Sequence, residues 1–150
     1  MMATAIRHAE VGWEGALTTG RGELVLASGA CGPLPISWPA RVEDPEGRTS
    51  PEELLAAAQA ACFAMAFTAI LGREGQHPER LDVGATISLN PADSGGFRVT
   101  DSAITVTGHV GGIDQETFTA LAEEARDGCP VSAAFHGNVA ITVKATLIPR

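Results

Sequence analysis

The run from Ser50 to Gly75, SPEELLAAAQAACFAMAFTAILGREG, constrains this chain more than any other stretch. Its start carries a capping box, with Ser50 as N-cap, Pro51 at the first helical position and Glu53 three residues after the cap. Gly72 beside Arg73 marks its stop. Between Leu54 and Leu71 only Gln59 and Thr68 are polar, so the run predicts a helix buried all round, with a sheet on one side and another helix on the other. Cys62 lies near its middle. The length would also suit a membrane span, but the abundance of Ala, the presence of Gln59 and the mixed character of the flanking chain favour the core of a globular protein.

With 150 residues, 45% hydrophobic and 19% charged, the chain can bury a substantial core, and a single domain over residues 1–150 is expected. The net charge of −8 and the scattering of its ten basic residues argue against nucleic acid or an anionic membrane as partner. The first ten residues carry early charges and no apolar core before a small-residue cleavage site, which points to the cytoplasm. Cys31, Cys62 and Cys129 are too few for a disulfide scaffold. In a reducing compartment a cysteine pair is better explained by redox chemistry than by structure.

Ala5 to Trp13 and Gly22 to Ser28 read as an antiparallel hairpin, and Ile36 to Val42 as an edge strand interrupted by Pro39. After the helix, residues 81–89 and 97–110 predict a second hairpin across the turn NPADSGG. Ile113 to Gly128 predicts an amphipathic helix capped by Asp114, with Ile113 and Phe118 as a staple. Asn138 to Ile148 alternates strictly and predicts a final strand. The whole is an α+β pattern, with mostly antiparallel sheets packed around a long central helix and a second amphipathic one.

Cys129 stands in GCPVS, where Gly128 closes one helix and Pro130 opens another. A thiol at a helix N-terminus is favoured as thiolate. Lowering a thiol pKa to about 6 raises its ionised fraction at neutral pH from about 3% to about 90%. Cys62 and Cys129 together suit a cycle in which one sulfur attacks and the other resolves, although spacing alone does not show that they meet.

The helical run, the downstream GCPVS and the closing strand resemble the OsmC/Ohr family of thiol-dependent organic hydroperoxide reductases, and within it the osmotically inducible OsmC branch. The resemblance extends from about Trp13 to the end and includes WEG at Trp13 to Gly15. It implies an intertwined homodimer that reduces organic hydroperoxides to alcohols in oxidative stress defence. Its attacking cysteine falls on Cys62, its resolving cysteine on Cys129, its glutamate on Glu52 and its arginine on Arg41, with Arg21 as the alternative arginine. It implies no bound cofactor and an external dithiol reductant, a lipoyl group with thioredoxin as the rival; a metal is not expected, because His8, His77, His109 and His136 have no ligand-like spacing with the cysteines. Cys31 matches nothing in the motif.

Glu52 and Cys62 are separated by about 15 Å along one helix axis, so an arginine held by the first cannot easily reach the second in the same chain. A site assembled from two chains follows as an expectation. An apolar pocket drawn from Leu55, Phe63, Met65 and Phe67 would favour alkyl or fatty-acid hydroperoxides. Two other readings compete: a thiol hydrolase using Cys129 with His136, and a non-catalytic dimeric binding or stress-associated module of the same fold.

Overall fold

A computed structural model describes residues 2–149. The chain divides into two compact units, one ending at Pro51 and the other starting at Glu52. In the first, strands β1 (Ala9–Glu14), β2 (Arg21–Leu26) and β3 (Leu34–Ile36) form an antiparallel sheet in that order. The hairpin expected at the start is present, with Trp13 opposite Gly22. A Cβ added at Gly22 would lie 2.7 Å from the Ile36 side chain and 2.9 Å from the Trp13 ring, so close strand packing requires glycine there.

The expected strand from Ile36 to Val42 is wrong in kind. Only Ile36 belongs to β3, and Trp38–Val42 is a short helix, α1. The Ser37 hydroxyl accepts from the Ala40 N–H at 3.3 Å and Pro39 occupies the first turn, two helix-start signals that outweigh the strand propensity of Ile36, Trp38 and Val42.

In the second unit, α2 (Pro51–Arg73) is followed by β4 (Arg80–Pro91), β5 (Phe97–His109), α3 (Gln115–Gly128), α4 (Pro130–Phe135) and β6 (Ala140–Leu147). β4 and β5 form the expected antiparallel hairpin, and β6 adds to the other side of β5 in parallel. Asp114 caps α3 by accepting from the Thr117 N–H at 2.8 Å.

The core of this unit joins Phe63, Phe67, Ile70 and Leu71 of α2 to Ile104 and Val106 of β5 and to Phe118, Ala122 and Ala125 of α3. The rings of Phe67 and Phe118 are 5.0 Å apart in a tilted pair. Gly108 lets β5 pass under Phe118, since a Cβ there would meet the ring at 2.4 Å. By length and composition α2 could cross a membrane, but its Phe63, Phe67, Ile70 and Leu71 are built into this core.

The expectation that α2 is buried all round fails. Glu52, Gln59, Phe63, Phe67, Ile70 and Leu71 are buried on one face, whereas Ala57, Ala58, Ala61, Met65 and Ala69 are exposed, Met65 at 69%. The helix is apolar on both faces, and the single chain covers only one.

Candidate active site

Two elements distant in sequence bring the cysteines together. Cys62 sits at mid-length of α2, one position before the core residue Phe63, and is partly exposed. Cys129 ends α3 and begins α4, as the GC-P pattern predicts, and is fully buried. Both sulfurs are free thiols, and they are hydrogen-bonded to each other.

Their ionisation is therefore shared. Burial pushes the Cys62 thiol above its ordinary value; the hydrogen bond to Cys129 and the negative charge there add to this, against a smaller opposing contribution from the Val131 backbone. Burial also opposes ionisation of Cys129. It is outweighed by the hydrogen bond from Cys62, by the Ser132 backbone and hydroxyl and by the Val131 backbone, so Cys129 lies below its ordinary value. The backbone groups polarise the sulfur without closing a capping hydrogen bond. The pair is poised to lose one proton readily, with Cys62 donating to the charge on Cys129.

A third side chain enters from α2. Gln59 lies three positions before Cys62, on the same helix face, and is fully buried. Its Nε2 donates to Ser132 Oγ at 3.0 Å and lies 3.8 Å from Cys129 Sγ in a longer contact to sulfur. The sequence marks Gln59 only as an interruption of an apolar run. Ser132, the last residue of GCPVS, is also buried. Neither was identified as a site residue from sequence, although an isolated amide one turn before a cysteine is the signal that could have done so.

Glu52 is buried in the first turn of α2, a position where a carboxylate also suits the helix dipole. Arg41 lies in the last turn of α1, its guanidinium 5.8 Å from the centre of the Trp38 ring. Arg21, on β2, bonds Glu14 across the hairpin at 3.3 Å and both side chains are exposed. Cys31 is an exposed thiol outside the strands and helices. His136 caps the far end of α4 from Cys129 and is exposed, an arrangement that gives no support to a cysteine–histidine hydrolase. Phe63 and Phe67 are sealed in the core and Met65 faces outward, so these three do not line a common pocket beside Cys62.

Residues 44–144 match the family model described as OsmC-like protein. The chain is 36% identical over 138 residues to peroxiredoxin OsmC of Escherichia coli (strain K12), covering 92% of this chain and 95% of that one. Among solved structures, the organic hydroperoxide resistance protein OhrB of Bacillus subtilis superposes with a TM-score of 0.74 at 26% identity, covering 93% of this chain and 98% of that one. An organic hydroperoxide resistance protein OsmC from Legionella pneumophila gives 0.75 at 26% identity, over 97% and 99%. The family-model match over residues 44–144, together with the 36% identity to peroxiredoxin OsmC across nearly the whole of both chains, places this chain in the OsmC family.

Proposed function

We propose that this protein is a peroxidase that reduces organic hydroperoxides to alcohols through a thiol cycle. The observation that carries the reading is the hydrogen-bonded pair of free thiols, one partly exposed and one sealed, in a chain whose relatives are named for peroxide chemistry. The difference in exposure supports a division of roles: Cys62 is the partly exposed thiol, open to a hydroperoxide, and Cys129 is the buried thiol beside it. The Cys62 sulfur attacks the terminal peroxide oxygen, the O–O bond breaks, and the alkoxide leaves and takes up a proton as alcohol. Cys62 is now a sulfenic acid. Cys129 attacks that sulfur, an S–S bond forms, the S–O bond breaks, and the oxygen departs as water. An external dithiol reduces the disulfide by exchange and returns both thiols.

In this reading the guanidinium of Arg41 draws the shared negative charge onto Cys62 and polarises the peroxide, and Glu52 fixes that guanidinium through a bidentate pair. The helical rise puts Glu52 about 15 Å from Cys62 along α2, so Arg41 and Glu52 of one chain serve the partner subunit's Cys62. The exposed Ala57, Ala58, Ala61, Met65 and Ala69 face supports a homodimer, because small side chains allow a second copy to approach closely.

Steady-state turnover of tert-butyl hydroperoxide with dihydrolipoamide, with thioredoxin and with neither tests the proposal. Turnover is expected with the lipoyl dithiol, faster for alkyl hydroperoxides than for hydrogen peroxide, and falling when dilution dissociates the dimer. No peroxide consumption with either reductant would overturn the proposal; full activity of a monomer would overturn its two-chain site.

A further inference from the structure

The amide of Gln59 has no part in the cycle as described, yet its placement is costly. Its side chain is fully buried in a helix that is otherwise almost wholly apolar, and its Oε1 has no hydrogen-bond partner among the described residues. An unsatisfied buried carbonyl destabilises a fold, and a leucine or methionine at this position would avoid the loss. The orientation is nevertheless the better of the two. Reversing the amide would strand two N–H donors in place of one oxygen, and would turn a lone pair toward a sulfur that carries charge. What the arrangement secures is an N–H directed at Cys129 Sγ at 3.8 Å and a second N–H on Ser132 Oγ at 3.0 Å. The Ser132 hydroxyl, its oxygen occupied as acceptor, donates its own proton to the same sulfur. Donor chains of this kind polarise one another in a dry setting.

We propose that Gln59 is a positioning residue for the resolving thiol, one that, directly and through Ser132, holds negative charge on Cys129 as it attacks oxidised Cys62. The inference rests on the thiol cycle proposed above. The affected step balances without any further reagent: the Cys129 thiolate sulfur bonds to the Cys62 sulfenic sulfur, one sulfur is oxidised as the other is reduced, and the hydroxide released takes up a proton as water. The same donors stabilise Cys129 when the external dithiol attacks Cys62 and Cys129 departs, since a thiol of lower pKa leaves faster. In this scheme Gln59 contacts neither the peroxide nor Cys62, the sulfur that attacks it. Its effect belongs to disulfide closure and opening.

Two measurements on Gln59→Met, which keeps the side-chain length and removes both donors, test it. In a Cys31→Ser, Cys62→Ser background, thiolate absorbance against pH isolates the ionisation of Cys129. Adding Gln59→Met should lower its ionisation constant about tenfold, the low end for a hydrogen bond to a charged group. In a chain retaining Cys62 and Cys129, one equivalent of cumene hydroperoxide with dimedone present should give roughly threefold more adduct at Cys62, because closure slows as thiolate is lost while the more basic thiolate that remains attacks faster. Ser132→Ala should shift both readouts in the same direction, and it stands in if Gln59→Met does not fold. An unchanged Cys129 titration in a folded Gln59→Met protein would overturn the role of Gln59. Neither adduct nor disulfide in any of the proteins would instead overturn the peroxide cycle, with the titration still deciding whether Gln59 holds charge on Cys129.

Discussion

Replacement of Cys62 by serine is expected to abolish hydroperoxide turnover, by about four orders of magnitude or more, and to leave the protein folded. The magnitude follows from what is removed: a hydroxyl has no appreciable anion at neutral pH, and removing a nucleophile typically costs nearly all the catalysis that its site provides. The fold should tolerate the change, because Cys62 is partly exposed and lies outside the core formed by Phe63, Phe67 and Leu71. Loss of activity with an unchanged unfolding transition, compared in a coupled peroxidase assay and by denaturant titration, is the expected result. Retention of even a few per cent of turnover would assign the attack to another sulfur.

The Cys129→Ser protein should behave differently. It should consume one equivalent of hydroperoxide, accumulate the sulfenic acid at Cys62 and then stall unless a small thiol reaches that sulfur from solvent. Its pH dependence carries a sign that the thiol pair determines. Cys129 raises the Cys62 pKa twice, through the hydrogen bond and through its charge, and both contributions disappear with the sulfur while the larger effect of burial remains. The rate of the single oxidation, followed by rapid mixing across pH, should therefore rise to its plateau at lower pH in Cys129→Ser than in the parent protein. A midpoint moved upward would mean that the charge on Cys129 helps Cys62 to ionise, contrary to the direction inferred from the structure. Normal steady-state turnover of Cys129→Ser with a dithiol would remove its resolving role.

Much of the fold is readable where one signal dominates. The capped, Ala-rich run became α2, Asp114 became the cap of α3, and the alternation in residues 81–89 and 97–110 became a hairpin. Those features are local, and local propensity and periodicity suffice for them. Trp38–Val42 was misread because β-rich composition competed with a cap and a proline in the first turn, and over so short a segment the cap decided the outcome. The exposure of Met65 and its alanine neighbours was not readable either, since composition shows that a helix is apolar but not which surface covers each face.

The site divides along the same line. Cys62 and Cys129 were identifiable as thiols in distinctive motifs, but their meeting depends on how α2 and the α3–α4 junction pack. Ser132 lies beside Cys129 through the first turn of α4, but Gln59 acquires meaning only once that packing brings it against both. Leu55, Phe63, Met65 and Phe67 look equivalent in sequence as pocket candidates; the structure seals Phe63 and Phe67 and turns Met65 outward because the helix phase separates them.

Thiol counting combined with peptide mapping, before and after one equivalent of cumene hydroperoxide under anaerobic conditions, addresses the central chemistry most directly. Reduced protein should present three thiols per chain and oxidised protein one, with Cys31 still free and a single disulfide linking the peptides that contain Cys62 and Cys129. Three thiols remaining after treatment, or a disulfide that joins Cys31 to either of the others, would contradict the account.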